Sequence, residues 1–593
     1  MPNVANSQAD TQATYCATLV DEWARSGILH AVVCPGSRST PMALALARGS
    51  LRGSLRVHVR LDERGAAFFA IGLALSCGRP VVVVTTSGTA AAELHAGVIE
   101  ASAARVPLIV CTADRPPELQ HVGAPQTIDQ AHLFGRAVRH FVDPGVPDEA
   151  TRTTWRSLAS RLVAEASDGP YGAGPVHLNM PFREPLLGTA GELPPGRAAL
   201  PWHQVAPRRQ AAYPDDLAAA LDPTLRGVVV AGAGAGEGAG HLARRLGWPL
   251  LADPRSGLRR PQPGVVVVAA ADAILRESNP LPEVVVRAGE SWSSKVLATW
   301  LSATAEAGAT HVSFDPEWAW RDPGRDVGVV VPDWLAADRP DQPGDQPGDQ
   351  PGDAAKPQAA SEPTDWLAKW DRAERAAQAA IKQALGDGLS EPAVARALFA
   401  SAQEGASIFV SSSMPVRDLE WFSAPRADPP AVFANRGANG IDGVVSSLFG
   451  MATDRGLTYG LVGDLAVLHD ASALVRSQTS EGAAAVVVVL DNLGGGIFSF
   501  LPQATELATA EFELLFGTPQ TPMVADLTAA CGYPTRNVST MAELDEGLRW
   551  ATEETTASQA PTFLVVQTDR QLNVQIHRHV ETAVGVAVKG ILS

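Results

Sequence analysis

Leu461-Val-Gly-Asp-Leu-Ala-Val-Leu-His-Asp470 and Val486-Val-Val-Val-Leu-Asp-Asn-Leu-Gly-Gly-Gly-Ile-Phe498 decide how the chain is read. Each opens as an apolar run and ends in a loop that carries glycine with an acid or an amide. Such runs predict strands covered on both faces, the habit of parallel sheets flanked by helices. In open α/β sheets ligands gather beyond the carboxyl ends of the strands, where Asp464 and Asn492 fall. These two stand 28 positions apart, about one strand–helix–strand unit. A carboxylate, an amide oxygen and the carbonyl of Gly494 are hard donors of the kind Mg²⁺ takes together with phosphate oxygens. Asp464, Asn492 and Gly494 are therefore the candidate metal ligands, and Gly494-Gly-Gly496 lets backbone approach a bulky group. The alternative reading of the pair alone is two glycine-rich turns with solvated polar ends.

The arrangement resembles the diphosphate–magnesium motif of thiamine diphosphate enzymes, with Leu465 at the usual third glycine and Asp491-Asn492 at the usual Asn-Asn. The wider context, GDLAVLHD (463–470) and GGGIFSFLP (494–502), is similar to one family in that group, the 2-succinyl-5-enolpyruvyl-6-hydroxy-3-cyclohexene-1-carboxylate synthases of menaquinone biosynthesis.

Working outward, the first 190 residues alternate strand and helix. A helix over residues 11–26 leads to a strand at His30–Cys34, broken by Pro35-Gly-Ser-Arg-Ser-Thr-Pro41. Further strands are expected at 56–60, 80–86, 107–112 and 175–180, with one helix opening at Asp62-Glu-Arg-Gly65 and another running to about residue 104. That alternation predicts a doubly wound, mostly parallel sheet. Ser37, Arg38, Glu63, Arg115 and Gln126 all lie at strand exits, so one crevice could collect them. Glu63 alone is also explained as an acid at a helix start, where it favours the dipole. Arg38 could be a surface charge and Arg115 a turn cap. The segments CPGSRSTP (34–41), LDERGAAFFAIGLA (61–74), TSGTAAAELH (86–95) and TADRPPEL…GAPQ (112–126) resemble the synthase family in order.

The middle, 191–336, reads as a second α/β unit with strands near 227–231, 248–252, 265–270 and 283–287. Gly227-Val-Val-Val-Ala-Gly-Ala-Gly-Ala-Gly236 invites a dinucleotide-binding reading, but no acid-ended second strand follows at about 20 residues, and close helix–strand packing accounts for the glycines. Lys295 matches the family's substrate lysine, whereas the basic residue often found next is Val296; a solvated helix-start lysine is the other reading. The tandem Asp341-Gln-Pro-Gly…Asp353 is too polar to pack a core, and 337–362 is expected to be a disordered connection.

The last unit, 363–593, begins with a helix at 366–385. Strands follow at 407–410, 431–434, the two quoted runs and 562–567. Ser411-Ser-Ser-Met-Pro-Val-Arg417 and ANRGANGIDG (434–443) follow two of these strands, so Ser413, Arg417 and Arg436 join Asp464 at strand exits. Ile441 is either ordinary core or the family's prop for a bent coenzyme. His95 and His469 are tempting acid–base groups that nothing in the pattern positions.

Composition narrows the classes. The 593 residues carry a formal charge of −17, which disfavours a general nucleic-acid or anionic-membrane surface. Five scattered cysteines without CxxC spacing suit reduced thiols in the cytoplasm, and no zinc site is implied. The polar start, MPNVANSQADTQ, lacks a signal layout, and no apolar run approaches the roughly 20 residues of a membrane span.

The expectation is thus three doubly wound α/β domains: a pyrimidine-binding type at 1–190, a central one, and a diphosphate-binding type at 363–593. The resemblance implies thiamine diphosphate with Mg²⁺, or Mn²⁺, held by Gly463, Asp464, Leu465, Ala466, Asn492 and Gly494. It implies a coenzyme pocket completed by Glu63 at the pyrimidine ring, Ser413, Ile441, Ile497 and Phe498. Ser37, Arg38, Arg115, Gln126, Lys295, Ser413, Arg417, Arg436 and Leu501 would contact 2-oxoglutarate and isochorismate, and the site would form between subunits of a homodimer or homotetramer. Two carboxylate-rich substrates need fixed cations, and arginine's planar fork suits carboxylates. Other readings are a different thiamine diphosphate carboligase or decarboxylase, and a non-catalytic binding scaffold.

Overall fold

Valine-rich runs with no polar face can settle only where helices cover both sides, and the computed structural model places them so. It describes residues 4–205, 216–332, 364–475, 482–521 and 523–592. The segment 337–362, including the repeat, lies outside the described residues. Within them the strands form three six-stranded sheets in which every pairing is parallel.

The first sheet holds β1 (His30–Val33), β2 (Arg56–Val59), β3 (Val81–Thr85), β4 (Leu108–Asp114), β5 (Phe141–Val142) and β6 (Pro175–Pro181), in the order β2-β1-β3-β4-β6-β5. The second holds β7 (Gly227–Ala231), β8 (Leu250–Ala252), β9 (Val267–Val268), β10 (Val284–Ala288), β11 (Thr310–Phe314) and β12 (Val329–Val331), ordered β12-β11-β10-β7-β8-β9. The third holds β13 (Ser407–Val410), β14 (Ala431–Phe433), β15 (Thr458–Gly463), β16 (Ala485–Asp491), β17 (Thr535–Val538) and β18 (Thr562–Gln567), ordered β14-β13-β15-β16-β18-β17. The first and third orders are the same when each sheet is counted from its own first strand.

β16 is buried along its whole length and pairs with β15 from Thr458↔Ala485 to Gly463↔Leu490. That register sets the loops after Gly463 and Asp491 side by side. Four strands lie outside the sequence expectation: β5, β11, β12 and β17. Three of them are sheet edges, where a few residues and one covered face suffice, and β11 carries a polar His311 inside the run. The expected helix to residue 104 is two, Thr89–Glu93 and His95–Ala104.

The outer sheets share one core. The Glu63 helix (Glu63–Cys77) crosses the helix Val444–Arg455 backbone to backbone: a Cβ on Gly72 would lie 1.9 Å from the Ser447 carbonyl oxygen, and one on Gly450 2.1 Å from that of Phe69. Phe69, Val98, Leu448, Phe449, Val487 and Phe563 belong to the same buried cluster. The central sheet is tied to the third through Trp370, Ile381, Phe422 and Val584, from helices Asp365–Leu385, Met414–Phe422 and Arg570–Val588. Among the described residues no helix is long and apolar enough to cross a membrane.

Candidate active site

β15 ends at Gly463 and Asp464 opens the six-residue helix Asp464–His469. Its Oδ1 accepts from the Leu465 amide at 2.8 Å and its Oδ2 from the Gly494 amide at 2.7 Å, so the two loops are bonded to each other. Burial, with Asp491 adjacent, pushes the Asp464 carboxyl up to about 7. Gly494 has φ 142°, and a Cβ there would lie 1.9 Å from the Gly517 carbonyl oxygen, so only glycine fits. Asn492 is buried; its Nδ2 donates to Glu391 Oε1 at 2.8 Å while its Oδ1 has no hydrogen-bond partner. A crowded carboxylate, an orphaned amide oxygen and a glycine carbonyl suit a hard dication that brings phosphate oxygens with it. Among the described residues no group of three or more His, Cys, Asp or Glu side chains is set to hold a metal.

Beside this corner lies a cavity of about 1090 Å³ whose lining includes Lys295, Arg417, Ile497 and Leu501, four of the sequence candidates. Ser413 precedes the Met414–Phe422 helix with φ 72°, a left-handed conformation uncommon for a side-chain-bearing residue. Its carbonyl accepts from Arg417 Nη1 at 2.6 Å, which fixes the root of that arginine. Arg436 donates to Ser293 Oγ on the cavity wall at 3.0 Å, and burial with Arg255 and Arg417 nearby pushes its guanidinium down to about 10. Lys295 is exposed at the start of its helix, whose first turn is capped by Ser294. Phe498 packs against Phe516 with ring centroids 5.4 Å apart, and Ile441 lies half-buried against the core shared by the outer sheets. Leu465 and Ala466 form the first turn after Asp464.

The remaining candidates sit at exits of the first sheet. Arg115 donates to Ser87 Oγ and to the Gln126 carbonyl, and Gln126 Nε2 returns a bond to the Ser87 carbonyl at 3.1 Å. Arg38 is buried, donating to the Phe182 carbonyl at 3.0 Å and to Glu184 at 3.1 Å. Ser37 is exposed one position before it. Glu63, the first residue of its helix, is held above the ordinary carboxyl range by burial, with Asp62 and Glu93 adding to the shift. Its neighbours seat the helix start on the far end of the Asp464 helix: Arg64 Nη2 donates to the His469 carbonyl at 2.8 Å, and Ser472 Oγ bonds Asp62. The candidates thus fall into two groups, one at the strand exits of the first sheet and one at those of the third, the second reaching Lys295 of the central unit across the cavity.

Several site groups escape sequence reasoning. Glu391 holds Asn492 from 101 positions away. Glu100 accepts from the amides of Gly437 and Ala438, both at 2.7 Å, and so anchors the loop that carries Arg436 and Ile441. Asp418 and His577 are buried 2.9 Å apart, with His577 at the cavity wall. The one visible signal for these was an acid directly after Ser390 and before Pro392, which reads as a helix start.

Residues 14–133 match the family model described as thiamine pyrophosphate enzyme, N-terminal TPP binding domain. A 2-succinyl-5-enolpyruvyl-6-hydroxy-3-cyclohexene-1-carboxylate synthase from Chloroflexus aurantiacus is 42% identical over 535 residues, 87% of each chain. Proteins of the same name from Geobacillus kaustophilus and Myxococcus xanthus are 39% and 38% identical, with at least 96% of both chains covered in each case.

Proposed function

The chain belongs to the 2-succinyl-5-enolpyruvyl-6-hydroxy-3-cyclohexene-1-carboxylate synthase family, and from that premise we propose how its residues divide the work. The reaction is the thiamine diphosphate-dependent decarboxylation of 2-oxoglutarate and 1,4-addition of the resulting succinyl carbanion equivalent to isochorismate, in menaquinone biosynthesis. The coenzyme, when bound, supplies the nucleophilic carbon and the electron sink that a 2-oxo acid needs to lose CO₂.

Asp464, Asn492 and the Gly494 carbonyl hold Mg²⁺ or Mn²⁺ at the diphosphate, with Gly463, Leu465 and Ala466 lining its seat. Glu63 holds a proton at the pyrimidine ring nitrogen; its raised carboxyl suits a group that must share one. Ile441, Ile497, Phe498 and Leu501 keep water out, which strengthens every charge interaction within. Ser413 shapes the floor, while Arg417, Arg436 and Lys295 hold substrate carboxylates beside it. Ser37, Arg38, Arg115 and Gln126 form the opposite wall. We read the three sheets as pyrimidine-binding, central and diphosphate-binding domains, in that order.

The observation that carries this reading is the cavity itself, with Lys295 and Arg417 on its wall and Arg436 behind Ser293, reached three positions after Gly494 by Ile497. Lysine and arginine together suit substrates with more than one carboxylate better than a 2-oxo acid whose side chain is uncharged. Within one chain, the Glu63 helix meets the His469 end of the Asp464 helix, opposite to Asp464. This supports a site completed by a second copy, hence a homodimer or a homotetramer, which sedimentation at micromolar concentration distinguishes. The deciding assay supplies isochorismate, 2-oxoglutarate, thiamine diphosphate and Mg²⁺ and follows the succinyl-bearing product. Decarboxylation of pyruvate in preference to 2-oxoglutarate would move the assignment to another carboligase.

A further inference from the structure

We infer that Glu391 sets the orientation of the Asn492 side chain, so that its oxygen and not its nitrogen faces the metal position. The inference rests on the reading of Asn492 as a metal ligand. An asparagine amide presents an acceptor at one end and two donors at the other, and the ends have nearly the same shape. A turn of about 180° about its last bond would aim NH₂ at the cation and remove a ligand. Something must discriminate the two ends, and only a neighbour of fixed polarity can.

Glu391 is such a neighbour. It is the first residue of the helix Glu391–Ser401 and is 1% exposed. Its Oε1 accepts from Asn492 Nδ2 at 2.8 Å and from Thr568 Oγ1 at 3.0 Å. An oxygen that accepts two hydrogen bonds is not where a proton would sit. A proton, when present, belongs on Oε2, so the contact with Asn492 keeps its polarity whether or not the acid is ionised. On the other side, Gly496 leaves the amide just enough room: a Cβ there would lie 2.6 Å from Asn492 Nδ2. The amide is held between an acceptor and a glycine backbone, and its Oδ1 is left buried and unpartnered. Glu391 is thus a positioning residue that acts on the metal through Asn492. Partners of this kind commonly govern metal affinity about 10–100-fold.

The test measures Mn²⁺ affinity of the full-length protein with thiamine diphosphate, from the electron paramagnetic resonance signal of free Mn²⁺, with no substrate and no turnover. Glu391→Leu should weaken binding about 10–100-fold. Glu391→Gln should stay within about threefold, because its amide oxygen can accept from both Asn492 and Thr568. Asn492→Asp should weaken binding at least about tenfold, since it sets a carboxylate against Glu391. The double variant Asn492→Asp with Glu391→Gln should recover most of that loss, because the glutamine can turn its NH₂ to the new carboxylate. This pair decides the matter even if Glu391→Leu fails to fold. Asp464→Asn should abolish tight binding in every background. Wild-type affinity in Asp464→Asn would overturn the metal reading itself. Loss there, with a double variant no better than Asn492→Asp, would overturn the role of Glu391 and leave the metal reading standing.

Discussion

Gly72→Ala puts a single methyl where two helices touch through their main chains. Ordinary contact for a Cβ begins at 3.4 Å, and the new atom would sit 1.9 Å from the Ser447 carbonyl oxygen and 2.8 Å from the Met451 amide nitrogen. Relief therefore needs the Glu63 helix and the Val444–Arg455 helix to part by about 1.5 Å, the difference of those first two distances. The obstacle is backbone, so no rotamer change absorbs it. In an unobstructed helix the same substitution gains about 1 kcal/mol. Overpacking a filled interior costs about 1–3 kcal/mol or more, and a rigid obstacle belongs at the upper end. The net expectation is a loss of about 2 kcal/mol at this crossing. A protein of this size need not unfold in one step, so the measurement is native-state hydrogen exchange of amides in both helices, read as local opening free energies. Gly240→Ala, in the helix Gly238–Leu246, is the control: its nearest obstacle, at 2.5 Å, is Oε1 at the tip of the flexible Gln262 side chain, and it should be neutral or slightly stabilising. Exchange in Gly72→Ala that is unchanged or slower would refute the close crossing.

Glu63→Gln should leave the melting temperature within a few degrees of wild type and lower turnover by about 10²–10⁴-fold, the usual worth of a positioned acid–base group; near-normal steady-state turnover would remove Glu63 from its role. Arg417→Ala should raise KM for the 2-oxo acid at least about tenfold, and Arg417→Lys should not restore it, because a point charge lacks the two-pronged geometry; equal kinetics for lysine and arginine would reduce that contact to bulk charge. Asp470 is buried, accepts from the Ser446 amide at 2.7 Å, and is raised from 3.8 to about 6. Between those values the folded chain binds more protons than the unfolded one, so this group's contribution to stability falls as pH rises through the window, by at most about 3 kcal/mol. The melting temperature of Asp470→Asn, relative to wild type, should therefore climb from pH 4 to 6.5, and a difference independent of pH would exclude this linkage.

The three-domain plan was legible because buried parallel strands announce themselves as unbroken apolar runs: Ser407–Val410 and Thr562–Gln567 appear at the expected residues. Edge strands such as Phe141–Val142 carry too few residues for any period to register. The paired loops after Gly463 and Asp491 were legible because each apolar run stops at glycine with an acid or an amide, which marks the strand's end. Glu391 was not, since its partner lies 101 positions away and helix starts favour acids for their own reasons. Nor could sequence alone reveal that Glu100 steadies the loop carrying Arg436, because that contact joins the first and third units across 337 positions.

The third unit is bonded to both of the others by contacts between residues far apart in the chain. Glu100 with the Gly437 loop, the Gly72–Gly450 crossing, and Arg259, which donates to the carbonyls of Glu420 and Ser423 at 2.9 Å, all join residues that lie on opposite sides of the stretch between the second and third sheets. The contacts that hold the third unit therefore reach back to both of the units before it, far along the chain from the residues they meet.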